Sequence, residues 1–416
     1  MKSLQAIRRA CGILFVLALV LSTAACRGRV TPTPEPRTIQ FILYNQPGEL
    51  RSPYQRLADE FQAEHPEITV EIRSISGSGS LRSALNAGAD VVLSWGWALQ
   101  DVGELRPLDP FIEAESPDFL NDYLPRVLDA VRYQGQILAL PVDLDVLVLY
   151  YNKELFDQAG VPYPEPGWTW SDFVALAQAL TQPLPDGNVQ YGFYPAGALP
   201  DYLPFVAQEL SALWGDDLLN PQKLRLDSEP VIRAVEWFTD LALRYGVMPT
   251  PAELRRSTGD PIVLGRAAMW LDWMSERGGR WDSVPWQFSW GVAPLPRGST
   301  GRTIVIMAMY VIPTSANHPE DAWRWITFLS RRYEQNSGLP VRRSLLEDPD
   351  LQKQIGPEHF EVFVKAAMDG IIASPGPEFD IYASALERAV REILVDGRPV
   401  EEALRDAQRR VDAAGG

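Results

Sequence analysis

The sequence predicts an α/β protein in two domains, and two observations carry that reading. Segments in which alternate residues are apolar take turns with segments of helical spacing, the pattern left by a parallel sheet covered with helices. The chain also runs to 416 residues with 46% hydrophobic content, past the roughly 250–300 residues at which single cores stop growing.

The elements follow in order. Ile39, Phe41 and Leu43 alternate through Thr38–Tyr44 as a strand. Ser52 caps a helix with Pro53 at its first position, and Tyr54, Leu57, Ala58 and Phe61 share one face of it. His65-Pro66 ends that helix, Ile68–Ile72 alternates as a second strand, Ser80–Ala87 forms a helix and Ala89–Leu93 a third strand. Open α/β sheets bind ligands beyond the C-terminal ends of their strands. Here those ends carry Tyr44-Asn45-Gln46, the Ser76–Gly79 loop and Ser94-Trp95-Gly96-Trp97.

A second block begins with Ala139–Asp143 and runs into the apolar Val146–Tyr151, a strand suited to a buried crossing between two lobes. Helices are read at Lys153–Ala159, from Trp170 to Leu180 and at Val231–Tyr245, with a proline-rich turn at Pro162–Pro166. Ile304–Ile306 forms a further strand, and helices at Pro319–Ser330, Pro357–Ala367 and Ile381–Leu394 complete the chain.

The first residues read as an address. Lys2, Arg8 and Arg9 precede an apolar run from Cys11 to Leu21 that is too short to span a bilayer, and residues 1–25 are expected to be a signal peptide. Ser22-Thr23-Ala24-Ala25 before Cys26 resembles the lipobox of bacterial lipoproteins, with Thr23 where an aliphatic residue is usual. The resemblance implies a diacylglyceryl group on Cys26 and a place on the outer face of the cytoplasmic membrane. Residues 26–37, with Pro32, Pro34 and Pro36, then form an extended tether. With Cys11 removed, Cys26 is the remaining thiol, so no intramolecular disulfide is expected.

A formal charge of −16 disfavours nucleic acid, whose binding rests on neutralising phosphates. The 13 tryptophans exceed ordinary usage and point to stacking on a ligand as well as to core. His65, His318 and His359 form no pair, and neither a His-Glu-x-x-His helix nor a Gly-x-Ser-x-Gly elbow occurs. No catalytic residue, cofactor or metal is expected. A secreted glycoside hydrolase is the rival class, since it needs two carboxylates. Glu113 with Glu115, Asp143 with Asp145, and Glu401 with Glu402 are the available pairs, each read as a solvated face or turn.

The stretch Tyr150-Tyr151-Asn152-Lys153-Glu154-Leu155-Phe156, followed by Ala159-Gly160-Val161-Pro162 and Thr169-Trp170-Ser171-Asp172-Phe173, resembles the signature of the family 1 extracellular solute-binding proteins, the sugar-binding components of ABC importers. Gly265–Trp270, Gly291–Pro296, His318–Trp323, Gly338–Ser344 and Gly397–Leu404 extend the likeness in the right order. The resemblance implies the type II periplasmic-binding-protein-like fold, with two lobes of mainly parallel sheet joined by crossing strands. Lobe 1 would take 38–142 plus about 305–345, and lobe 2 would take 143–304 plus about 346–416. It further implies a monomer that closes on a small ligand, expected to be a carbohydrate, and delivers it to permease subunits. A polyamine or another small solute is the alternative within the binding class.

A sugar offers apolar C–H faces and a ring of hydroxyls, so its site needs aromatic platforms and fixed polar groups. The candidates are Tyr44, Gln46, Trp95 and Trp97 at strand ends, Asp143 at the crossing, Trp270, Asp272 and Trp273 in lobe 2, and Arg342 from the later segment, with Arg343 beside it. Asn152 and the Thr169–Phe173 stretch are read as helix caps, and Trp281, Trp286 and Trp290 as packing. Where relatives carry a glycine-rich segment after the second crossing strand, this chain has Met307-Ala308-Met309-Tyr310, which implies a smaller or less polar site.

Overall fold

A computed structural model describes residues 36–44, 51–75, 81–95, 99–196, 201–214, 224–256, 259–280, 284–373 and 377–414. In chain order the strands that build the main sheet are β1 (Arg37–Tyr44), β2 (Ile68–Ile75), β3 (Val91–Trp95), β4 (Leu140–Asn152), β5 (Gln182–Pro183), β6 (Val189–Phe193), β7 (Ala267–Trp273), β8 (Trp290–Ala293), β9 (Ile304–Val311), β10 (Leu339–Pro340) and β11 (Ile371–Ala373). The helices used below are α1 (Arg51–Glu64), α2 (Leu81–Leu85), α3 (Pro125–Ala130), α4 (Lys153–Ala159), α5 (Trp170–Leu180), α6 (Leu203–Trp214), α7 (Glu229–Leu243), α8 (Pro319–Ser330), α9 (Pro357–Asp369), α10 (Pro377–Asp396) and α11 (Val400–Ala414).

The strand order β2-β1-β3-β9-β4-β7-β6-β5 runs through one continuous ladder. Its first part is the βαβ pattern expected, with β1 parallel to both β2 and β3. Beyond it the sheet is mixed rather than mainly parallel: β9 is antiparallel to β3 and to β4, and β4 is antiparallel to β7. The reason is the crossing itself. A strand that leaves one set of neighbours for another and a strand that returns must run against each other.

β4 makes the crossing, and its 13 residues are all buried. Through Val146 it pairs with β9, and from Leu147 onward with β7. Two more segments meet it there: Thr303 Oγ1 donates to the Leu147 carbonyl at 2.6 Å, and the Ile371 amide donates to the Thr303 carbonyl at 2.7 Å, which sets β11 beside β9. Side chains of β4 alternate between two apolar clusters, with Val146, Val148 and Tyr150 in the first and Leu147, Leu149 and Tyr151 in the second. The first cluster holds β1–β3, α1 and α8; the second holds α5, α6, α7, α10 and α11.

The cap signals at Asn152 and Thr169 behave as the sequence implies, whereas α1 begins at Arg51, one residue before the expected cap Ser52. Asn152 caps α4, its Oδ1 accepting from the Glu154 and Leu155 amides, and Thr169 closes a capping box with Asp172 on α5. Met307–Tyr310 lies inside β9, 0–2% exposed, where its bulk fills the first core rather than following the crossing. α9 is held at its C-terminus by two guanidiniums. Arg126 of α3 donates to the carbonyls of Ala367, Met368 and Gly370, and Arg302 to those of Asp369 and Gly370. Among the described residues no helix is long and apolar enough to cross a membrane.

Candidate functional site

The register of β4 brings two sets of strand ends together. β3 ends at Trp95, which lies opposite Ala308, itself opposite Asp143; β7 ends at Trp273, opposite Leu147. Asp143 and Leu147 are four residues apart, roughly 13 Å along an extended chain. The C-terminal ends of β3 and β7, one from each side of the crossing, therefore converge on the middle of β4.

Trp95 is partly buried there and packs on the first cluster. Asp145, opposite Ile306 of β9 and 5% exposed, accepts from the Ser275 amide at 3.1 Å through Oδ1 and from the Ser275 hydroxyl at 2.6 Å through Oδ2. Ser275 sits in the turn Met274–Glu276 that follows β7. Arg277 closes this turn, donating to the Met274 carbonyl at 3.3 Å and to Ser337 across the crossing at 3.0 Å. Burial raises the Asp145 carboxyl to about 6, against the lowering pull of Ser275 and Arg277.

Asp143 points inward. It is 2% exposed, Oδ2 accepts from the Gly338 amide at 3.4 Å, and burial reinforced by Asp145 raises its carboxyl to about 7. The reading of Asp143 and Asp145 as a solvated turn does not hold: both lie in a strand covered by β9 on one edge and by β10 and the Met274–Glu276 turn on the other.

The remaining candidates are distributed differently from expectation. Trp270 has no exposed surface; it stacks on Tyr150 at 5.9 Å and meets Trp286 edge-on at 5.0 Å, so it offers no platform in this structure. Asp272 is 1% exposed, accepting from the Trp273 amide at 3.0 Å, and Trp273 itself packs in the second cluster. Arg342 is turned into the first core, where it donates to Asp122 at 2.7 Å and to the Ser330 hydroxyl at 3.1 Å and lies over Tyr123, a packing and ion-pairing position. Arg343 opens a short helix beside it. Tyr44 ends β1, with its side chain outside the described residues, as are Gln46, Trp97, Trp281 and Cys26. Trp286 and Trp290 pack together around Tyr150.

Sequence reasoning named Asp145 only as one of a carboxylate pair with Asp143, and missed its bonds to Ser275 and the Arg277 bridge. A period-two count from Asp143 would have put Asp145 on the same face of the strand; nothing local announces that Ser275, 130 residues on, reaches it.

The family described as bacterial extracellular solute-binding protein matches residues 46–335. An uncharacterized ABC transporter extracellular-binding protein of Pyrococcus horikoshii is 24% identical over 373 residues, covering 80% of this chain and 79% of its own. A maltotriose-binding protein of Pyrococcus abyssi is 23% identical over 389 residues, 88% of this chain and 80% of its own, and a mannitol-binding protein of Pseudomonas aeruginosa is 25% identical over 242 residues, 52% and 51%. Among solved structures, an ABC substrate-binding protein of Listeria monocytogenes in complex with cycloalternan superposes with a TM-score of 0.75 at 19% identity, over 92% of this chain and all of the other. Maltose-bound MalE3 of T. maritima gives 0.71 at 23%, over 91% and 100%. These likenesses show a mixed α/β fold of the periplasmic-binding-protein-like kind, and the proteins concerned are binding proteins.

Proposed function

The chain belongs to the bacterial extracellular solute-binding proteins, and on that premise we propose that it captures a carbohydrate between its two lobes and hands it to an ABC importer. The observation that carries the reading is the convergence of strand ends on β4, with Trp95 at the end of β3 and Ser275, bonded to Asp145, just beyond the end of β7. An aromatic face suits sugar C–H groups, and a carboxylate that already accepts two bonds keeps lone pairs for hydroxyls. The maltotriose, mannitol, cycloalternan and maltose named for its relatives support a sugar or polyol.

In this reading the ligand favours a closed state by touching both lobes, with bending at Val146–Leu147, Thr303 and Ile371. The lobes follow the division 38–142 plus about 305–345 and 143–304 plus about 346–416. Cys26 carries the lipid, the tether holds the lobes near permease subunits, and the protein performs no reaction.

A melting-shift screen tests this. Maltotriose or mannitol at 100 times its Kd adds about 2.7 kcal/mol, and the melting temperature rises by several degrees. A rise with spermidine alone sinks the carbohydrate reading, and turnover of a glycoside sinks the binder reading.

A further inference from the structure

Asp143 lies two residues before Asp145 on β4, and both are buried. Around Asp143, Tyr54 of α1 and Tyr310 of β9 share a hydrogen bond at 3.1 Å, and both hydroxyls feel the Asp143 charge. The loop before β10 covers it, with the Ser337 and Gly338 amides directed at the carboxyl. Asn336 Nδ2 ties the same loop to the Val142 carbonyl at 3.4 Å, and Gln335 Nε2 ties it to the Leu329 carbonyl at 3.2 Å.

Two features of this cluster need an explanation. Asp143 Oδ1, Gln335 Oε1 and Asn336 Oδ1 are all buried acceptors without a partner, although buried polar atoms are nearly always bonded. The charged or titratable groups that act on Asp143 or feel its charge among the described residues are Asp145 on its own strand, Tyr54 on α1 and Tyr310 on β9, with no cation. Burial makes an ionised carboxylate there costly, against the opposing pull of the Ser337 and Gly338 amides, and a neutral one adds an O–H donor to a cluster that contains orphan acceptors.

We propose that Asp143 is a proton-binding positioning residue: neutral, it holds the 335–338 loop, and through that loop it sets the ligand-facing Asp145. The connection is continuous. Gly338 bonds Asp143, the Ser337 carbonyl bonds Arg277, and Arg277 belongs to the turn whose Ser275 orients Asp145. Ionisation above neutral pH adds a charge behind the loop, and a second negative charge close to Asp145 on the same strand. The proposal rests on the carbohydrate-binding reading only for the role of Asp145; the loop response does not need a ligand.

The test therefore has a ligand-free arm. Amide exchange at 335–338, corrected for its intrinsic pH dependence, is slow at pH 6 and faster at pH 8 in the wild type, and slow at both in Asp143→Asn. The wild type shows an infrared band of a protonated carboxyl, titrating near pH 7, that is missing from Asp143→Asn, in which only the band of Asp145, titrating near 6, is left. Absence of that band, or the same loop response in Asp143→Asn, overturns the proposal. With whichever of maltotriose, maltose and mannitol raises the melting temperature, Kd weakens about fivefold or more from pH 6 to pH 8, the lower end of ordinary coupling, and is level in Asp143→Asn. An unchanged slope in the variant overturns the link to Asp145. If none of the three sugars binds, the carbohydrate reading fails while the exchange and infrared results still decide the proton site.

Discussion

The two halves of β4 contrast sharply. From Leu140 to Val146 the strand carries Asp143 and Asp145 between apolar residues; from Leu147 to Tyr151 it carries only Leu, Val and Tyr. Both halves are buried. In the second half Tyr150 stacks on Trp270, and its hydroxyl donates to the Trp273 carbonyl at 3.0 Å, which closes that polar atom off within the core. In the first half the carboxyls face loops from β10 and β7 and retain acceptor capacity. The same strand thus carries apolar packing on one side of the crossing and buried carboxyls on the other.

The most severe way to break the contrast is Trp270→Ala, which empties the apolar half. It costs about 3–5 kcal/mol, lowers the melting temperature strongly at every pH, and removes ligand binding only by unfolding. Asp145→Ala strikes the other half with the opposite signature. Loss of a hydrogen-bonding carboxylate weakens sugar affinity by about 1.5–3 kcal/mol, roughly 10- to 150-fold, while the melting temperature at pH 8 holds or rises because a buried charge is gone.

The pH profile sharpens the comparison. Burial raises Asp143 to about 7 and Asp145 to about 6, so above pH 4 these two groups hold protons in the native chain that they release in the unfolded one. Their contribution to stability is therefore fully present below the unfolded value, falls as pH rises toward 7, and is level beyond. Calorimetry from pH 4 to pH 8 shows this decline. Asp143→Asn flattens its upper part and raises the melting temperature at pH 8 relative to the wild type. Thr169→Ala, on α5 and remote from β4, supplies the smallest effect: about 1 kcal/mol of stability for the lost cap, with sugar affinity unchanged by titration calorimetry.

What could be read ahead depended on how local the cause was. Asn152 and Thr169 announce their caps because donor and acceptor lie two or three residues apart. α6 escaped detection because residues 203–211 are buried on every side, leaving no helical period, and β7 is a continuous buried run for the same reason. Trp270 and Arg342 were legible as residue types suited to sugars, yet the face each side chain takes is fixed by pairing with residues more than a hundred positions away, Tyr150 and Asp122. Asp143 and Asp145 failed as a turn because their cover comes from β9, β10 and Ser275, which no window around residue 143 contains.

The three-strand junction of β4, β9 and β11 also dictates an order of assembly. Val146 waits for Val305, and Ile304 for Ile371, so the central ladder closes only when nine-tenths of the chain exists. The early β1–β3 unit must stand meanwhile with an unpaired β3 edge, and such high sequence separation slows folding. A chain that matures this late stays threadable for most of its synthesis, and truncation before residue 371 is expected to leave an open, aggregation-prone edge rather than a smaller stable domain.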